Sequence, residues 1–160
     1  MKKCISIILT VFLVACGAPA LREYQLTELG LNITAPELRK EPTYKVLTFD
    51  KMLGKVEIAT KKQRFEIVEI EEAIYPKNLE DLISAVSGGD NFKGMIKDGK
   101  YPEGKISMAN GAFGLLYTNK KGNDFLIYYS KGSRYYRCRP ILNSELKELD
   151  THLAIIESFK

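Results

Sequence analysis

Side chains able to perform nucleophilic or acid–base chemistry are few along this 160-residue chain. The only histidine is His152, and the nearest thiol before it is Cys138. A cysteine and a histidine that share a hydrogen bond can form an activated nucleophile. The acidic run Glu66–Glu72 could supply general acids or bases if the fold removes one of its carboxylates from water. We expect instead that this run is a solvated strand face, and that His152 lies on or near the surface of a helix.

No motif for a metal, a phosphate or a cofactor stands out. A structural zinc site takes four nitrogen or sulfur ligands, and one histidine with one distant thiol falls short of that. The glycines of Ser87–Gly94 lack the Gly-Lys-Ser/Thr ending of a phosphate loop. The sequence therefore predicts no catalytic residue, no metal and no cofactor. A small hydrolase that uses the carboxylates or Cys138 is the alternative.

One stretch near the C-terminus suggests a binding surface. Strand alternation places Tyr135, Arg137 and Arg139 on one face, and Tyr136 with Cys138 on the other. The second face should be core. The first is a candidate partner-binding patch, because arginine and tyrosine are enriched in interfaces and arginine binds carboxylates and phosphates in a bidentate manner. The alternative is a solvated sheet face, or arginine stems that cover apolar surface beneath a helix.

The N-terminus has the layout of an export signal. The apolar run Ile5–Ala15 follows Lys2 and Lys3. It is too short for a transmembrane helix, which needs about 20 apolar residues. A basic start, an apolar run and small residues at its end are typical of a secretory signal peptide.

The end of that run predicts a covalent anchor. Leu13-Val14-Ala15-Cys16 resembles the lipobox of bacterial lipoproteins. The resemblance implies cleavage between Ala15 and Cys16 and acylation of Cys16, whose fatty chains would hold the protein on a lipid bilayer. Gly17, in place of an aspartate, favours the outer membrane with the domain facing the periplasm. The alternative is an ordinary signal peptide with a cysteine near its end.

These features divide the chain into a cleaved signal (1–15), a lipidated N-terminus with a short tether (16–22) and a single domain (23–160). The formal charge of the full chain is +4, and removal of Lys2 and Lys3 with the signal lowers it. A positive charge this small does not indicate nucleic-acid binding. Cys4 leaves with the signal and Cys16 is acylated. Cys138 is then left without an intrachain partner, and we expect it to be buried.

The domain must be built from strands and helices that follow one another along the chain. Alternation and turn residues predict strands within residues 24–35, 44–50, 55–60, 63–73, 104–110, 112–118, 124–130 and 134–140. Helices are predicted at Asn78–Ser87, with Asn78 as the N-cap, and at Asn143–Phe159, with Asn143 as the N-cap. The order indicates an α+β fold, in which a single antiparallel sheet of six or seven strands ends in a meander and packs against two or three helices.

This order of elements, with the C-terminal helix and its Ile-Ile-x-Ser-Phe-Lys tail, resembles the PsbP-like fold. That fold is shared by a photosystem II extrinsic subunit, a Ran-binding nuclear factor and bacterial proteins, some of them tied to secreted toxins. The resemblance spans roughly Leu29 to Lys160 and implies a non-catalytic binding module. Together with the lipobox, it leads us to expect an envelope lipoprotein that binds an unknown protein partner. Immunity against a toxin, or an accessory or structural role in an envelope complex, would fit this description.

Overall fold

The computed structural model describes residues 20–87, 104–119, 122–141 and 148–160. Within these ranges the strands are β1 (Leu21–Leu26), β2 (Leu31–Pro36), β3 (Tyr44–Val46), β4 (Met52–Ala59), β5 (Arg64–Ile70), β6 (Lys105–Ser107), β7 (Phe113–Asn119), β8 (Gly122–Lys131) and β9 (Arg134–Pro140). The helices are α1 (Leu79–Ser87) and α2 (Leu149–Glu157), with short 3-10 turns at Thr27–Leu29 and Glu72–Ile74. No helix in these ranges is long and apolar enough to span a bilayer.

The strands form a seven-stranded sheet and a separate two-stranded sheet. The order in the large sheet is β3-β4-β5-β9-β8-β7-β6, and every neighbouring pair is antiparallel. The mixed α and β content, the two helices and the C-terminal helix match the prediction, and the large sheet alone has the upper number of strands expected. The single sheet does not match, because β1 and β2 pair only with each other.

The two-stranded sheet is a hairpin that covers one face of the large sheet. Its turn ends at Gly30, whose φ of 63° is in the left-handed region that glycine adopts without strain. Leu31 and Ile33 of β2 are buried in the main core together with Leu153 and Ile156 of α2. We call the side of the large sheet that packs against this hairpin and α2 the hairpin face, and the opposite side the pocket face.

Side-chain alternation on the central strand β5 shows that both faces are covered along part of its length. Phe65 and Ile67 belong to the core on the hairpin face. Val68 and Ile70 belong to a second cluster on the pocket face, where Leu82 of α1 is buried. Apolar residues therefore occur on both faces of β5 because both are buried, and the one register shift of β4–β5 lies in β4, between Met52 and Gly54.

Helix α1 begins as its sequence predicts. The backbone N–H of Asp81 donates to Oδ1 of Asn78 at 2.9 Å, which confirms Asn78 as the N-cap. The cap satisfies one of the N–H groups that a helix start leaves without a partner. Leu82 on the same helix is buried against the pocket face, so α1 closes one end of that face.

Polar contacts hold the hairpin turn to the large sheet. Arg134 binds Glu69 in a bidentate manner, with Nε to Oε1 at 2.6 Å and Nη2 to Oε2 at 2.7 Å. Nη2 of Arg134 also donates to the backbone carbonyl oxygen of Glu28 at 2.5 Å. The buried hydroxyl of Tyr136 donates to the backbone carbonyl oxygen of Leu29, also at 2.5 Å. Glu69 is buried by this arrangement, so the expected solvation is wrong for this residue.

Helix α2 buries side chains on more of its surface than the sequence predicts. Leu153 and Ile156 are buried as predicted, whereas the proposed cap Asn143 lies outside the described residues. His152 is 0% exposed, so the expectation of a surface histidine is wrong. The reason is that α2 packs in the core on the hairpin face, where the ring of His152 meets that of Phe65.

Candidate functional site

On the pocket face, described residues line a polar pocket of about 480 Å³. Its lining is Lys55, Glu66, Tyr117, Asp124, Leu126, Tyr128, Arg137, Arg139, Pro140 and Ile141. These residues come from β4, β5, β7, β8 and β9 and from the residue that follows β9. A volume of this size is within the usual range for ligand pockets, and the many charged side chains distinguish it from an apolar one.

Glu66 forms the floor of the pocket and is only 5% exposed. Its carboxylate accepts hydrogen bonds from Nζ of Lys55 at 2.8 Å and from Nε of Arg139 at 2.7 Å. Burial alone would raise the pKa of Glu66, but the hydrogen bonds from Lys55 and Arg139 outweigh it and lower the pKa below its ordinary value. Glu66 is therefore an ionised bridge between two cations, and the solvated face expected at this position is wrong.

A second polar pair lies on the neighbouring strands. The hydroxyl of Tyr117 donates to Oδ2 of Asp124 at 3.1 Å, directly across the β7–β8 ladder. Burial and the adjacent Asp124 carboxylate raise the pKa of Tyr117 far above its ordinary value. The phenol consequently remains a neutral hydrogen-bond donor on the wall of the pocket.

Arg137 lies at the centre of the site, between Val68 of β5 and Tyr128 of β8. Its Nη2 is 3.3 Å from Sδ of Met52, which is a weak acceptor. Its Nε is buried and has no hydrogen-bond partner in the described part of the chain. Within the described ranges no carboxylate oxygen lies within 4.0 Å of this guanidinium, which sets it apart from Arg139.

The structure brings together only two members of the predicted patch. Arg137 and Arg139 both line the pocket, and Tyr136 and Cys138 are buried on the hairpin face, as the alternation predicted. Tyr135 does not line the pocket, because its ring packs on Tyr75 with 4.8 Å between the centroids.

Sequence reasoning missed four polar members of the pocket: Lys55, Tyr117, Asp124 and Tyr128. The signal that could have found Tyr128 is strand register, since this residue pairs with Arg137. Lys55 lies diagonally across from Glu66 on the same face, where long side chains can meet. Alternation within each predicted strand gives the face, but only the pairing of strands brings these residues together.

Cys138 and His152 do not form a reactive pair. Cys138 is fully buried, and burial raises the pKa of its thiol far above the ordinary value, so the reactive thiolate is disfavoured. Nε2 of His152 is 3.2 Å from Oγ1 of Thr60, and its ring lies 4.9 Å from that of Phe65. Burial lowers the pKa of His152 to about 4, although the carboxylate of Glu148 acts in the opposite direction. The histidine is thus a neutral core residue at neutral pH.

The site can therefore hold an anionic group by charge and hydrogen bonding. The described residues contain no group of three or more side chains of the kind that could ligate a metal ion. No protein-family model and no curated protein matches the chain. The geometry of the pocket is the basis on which a function can be argued.

Proposed function

We propose that this chain is a lipid-anchored, non-catalytic protein-binding module of the bacterial envelope, and that the polar pocket is its recognition site. The observation that carries the proposal is Arg137, a partly buried cation in a pocket whose other cations, Lys55 and Arg139, are already paired with Glu66. A guanidinium in a concave site that no carboxylate of the described ranges contacts is suited to a partner that supplies one.

The proposal favours binding over catalysis for reasons of chemistry. A general acid needs a raised pKa, and that of Glu66 is lowered by its two cationic neighbours. A nucleophilic thiol needs access and a lowered pKa, and Cys138 has neither. Binding through preformed charges needs neither condition.

The proposed anchor places this pocket close to a membrane. Because β1 begins at Leu21, only residues 16–20 of the predicted tether can be free of the domain, and they span at most about 18 Å when fully extended. Anchoring raises the effective concentration of the domain toward any partner in the same compartment. Immunity against an incoming toxin, and a PsbP-like topology shared with other binding modules, are the finer forms of this proposal.

We expect the anchor to depend on Cys16. Wild-type protein from native cells should sediment with membranes, and mass spectrometry should find diacylglycerol on the sulfur of Cys16. The Cys16→Ser variant should be uncleaved and lack the lipid, whereas Cys4→Ser should behave as wild type. If the wild-type protein had an unmodified Cys16 thiol and did not sediment with membranes, the proposed location at the envelope would be wrong.

We expect Arg137→Glu to reduce recovery of the partner by about tenfold or more, because loss of one member of a buried charge pair costs about 2–5 kcal/mol and the new carboxylate repels an acidic partner. The measurement is cross-linking and co-purification from envelope extracts, followed by quantitative mass spectrometry.

Arg22→Glu is the matched control, because it makes the same charge reversal at a side chain that is 60% exposed on β1. Arg139→Glu tests the second cation of the pocket. Circular dichroism must show that each variant is folded. Equal recovery with Arg137→Glu and wild type would mean that the pocket is not the recognition site.

A further inference from the structure

No carboxylate of the described residues pairs with Arg137, unlike the arginines near it. Arg134 lies 2.6 Å from a Glu69 oxygen, and Arg139 lies 2.7 Å from a Glu66 oxygen. For Arg137 no such contact with a carboxylate exists in the described ranges, where its side chain contacts Sδ of Met52 and the hydroxyl of Tyr128. A partly buried guanidinium whose acceptors are neutral has lost hydration without gaining a counter-ion, which is a costly arrangement unless a ligand completes it.

The surroundings of Arg137 favour an anion of a single charge. Lys55 and Arg139 share one carboxylate, that of Glu66, and the Asp124 carboxylate lies on the far wall of the pocket. The described lining thus has three cations and two carboxylates, an excess of one positive charge. A monoanion neutralises this excess, whereas a dianion would make the same lining net negative.

The shape of the donors favours a planar anion. A guanidinium presents parallel N–H groups whose spacing matches the two oxygens of a carboxylate. Tyr128 stands directly across the strand ladder from Arg137, and its hydroxyl can donate its proton to an anion while it accepts from Arg137. The nearby apolar side chain of Leu126 can contact a short aliphatic stem.

We infer that the pocket binds the carboxylate of an aspartate or glutamate side chain presented by the protein partner, with Arg137 as its main ligand. This inference rests on the proposed function, because it identifies the chemistry by which the same pocket recognises its partner. The pocket volume of about 480 Å³ leaves room for such a side chain and part of the loop that carries it.

The test uses propionate, which reproduces the end of a glutamate side chain. The purified lipidated protein is titrated with propionate, with neutral propionamide, and with inorganic phosphate under mildly alkaline conditions that make it a dianion. Binding is followed by the nitrogen–proton correlation of the arginine Nε–H groups. We expect propionate to shift the Arg137 signal in a saturable manner, propionamide to leave it unchanged, and phosphate to bind more weakly than propionate.

Two variants assign the effect to Arg137. Arg137→Gln should weaken propionate binding by at least about tenfold, which corresponds to the loss of a charge-assisted hydrogen bond. Arg137→Lys keeps the charge but loses the planar pair of donors. Its affinity for propionate should therefore lie between those of wild type and Arg137→Gln. Arg22→Gln is the control, with the same loss of charge away from the pocket and unchanged affinity. No propionate binding, equal binding by Arg137→Gln, or tighter binding of phosphate would overturn the inference.

A final arm separates a partner's side chain from a free small acid. Excess propionate should release the protein that co-purifies with the wild type. Binding of propionate at Arg137 without release would assign the site to a free carboxylic acid and overturn the inference. If Arg137→Glu loses the partner but the wild type does not bind propionate, the proposed function would stand. Only the inference that the pocket binds a carboxylate of the partner would be rejected.

Discussion

Gly114→Ala should destabilise the domain by about 3 kcal/mol, because the added methyl group would collide with backbone. Gly114 lies on β7 opposite Ile127 of β8. A Cβ at this position would be 2.3 Å from the carbonyl oxygen of Leu126 and 2.8 Å from Cα of Ile127. Backbone atoms in the middle of a strand pair cannot move without breaking the ladder, so the strain cannot be relieved locally.

The measurement is urea unfolding of purified protein, with Gly54→Ala as the comparison. A Cβ on Gly54 would be 2.0 Å from the hydroxyl oxygen of Tyr44, which is the far end of a side chain on the edge strand β3. Tyr44 can rotate away, so Gly54→Ala should cost less, and adding Tyr44→Ala should remove the steric part of that cost. Truncating Ile127 should not rescue Gly114→Ala. An unchanged unfolding midpoint for Gly114→Ala would contradict the close approach of β7 and β8.

Acidification should destabilise the folded protein through His152. Burial lowers the pKa of His152 from 6.5 to about 4 in the folded state. The unfolded chain therefore takes up a proton first as the pH falls. This contribution to stability is fully present above pH 6.5 and is lost as the pH falls toward 4, by on the order of 2–3 kcal/mol.

The measurement is the free energy of unfolding at about pH 7.5 and about pH 4.5, for wild type and His152→Leu. His152 is the only histidine in the chain. Between these two pH values, the free energy of unfolding should therefore fall less in His152→Leu than in wild type, by most of the roughly 2–3 kcal/mol expected for this group. The pKa of Glu148 is also lowered, since hydrogen bonds from Thr60 and Lys62 outweigh the effect of burial. Its contribution is lost mainly below its ordinary pKa of 4.5, outside this interval. An equal loss in both proteins would exclude His152 as the source.

Local patterns in the sequence were sufficient for most of the architecture. Period-two alternation separated the buried Tyr136 and Cys138 from the arginines of β9, because successive side chains of a strand point to opposite faces. The Asn78 cap and the apolar stripe located α1, because these depend only on residues within a few positions of one another. The same kind of pattern does not distinguish a strand of the large sheet from the hairpin of β1 and β2.

The candidate site was only half predictable. Arg137 and Arg139 could be placed on one face, since they lie two residues apart in the same strand. The partners that give them different properties are far away along the chain. Glu66 pairs with Arg139 across β5 and β9, and Lys55 reaches Glu66 from β4. The burial of Glu66 depends on the strand order β4-β5-β9-β8, which no pattern within one strand encodes.

The sequence by itself determined which residues share a strand face, where α1 begins and which thiol is left single, since each depends on residue type and short spacing. The tertiary structure alone decided that Glu66 bridges two cations, that His152 is enclosed, and that Arg137 has no carboxylate partner among the described residues. The physical reason is that the energy of a charge depends on its distance to other charges and to water. Those distances are set by the register of strands that are remote in the chain.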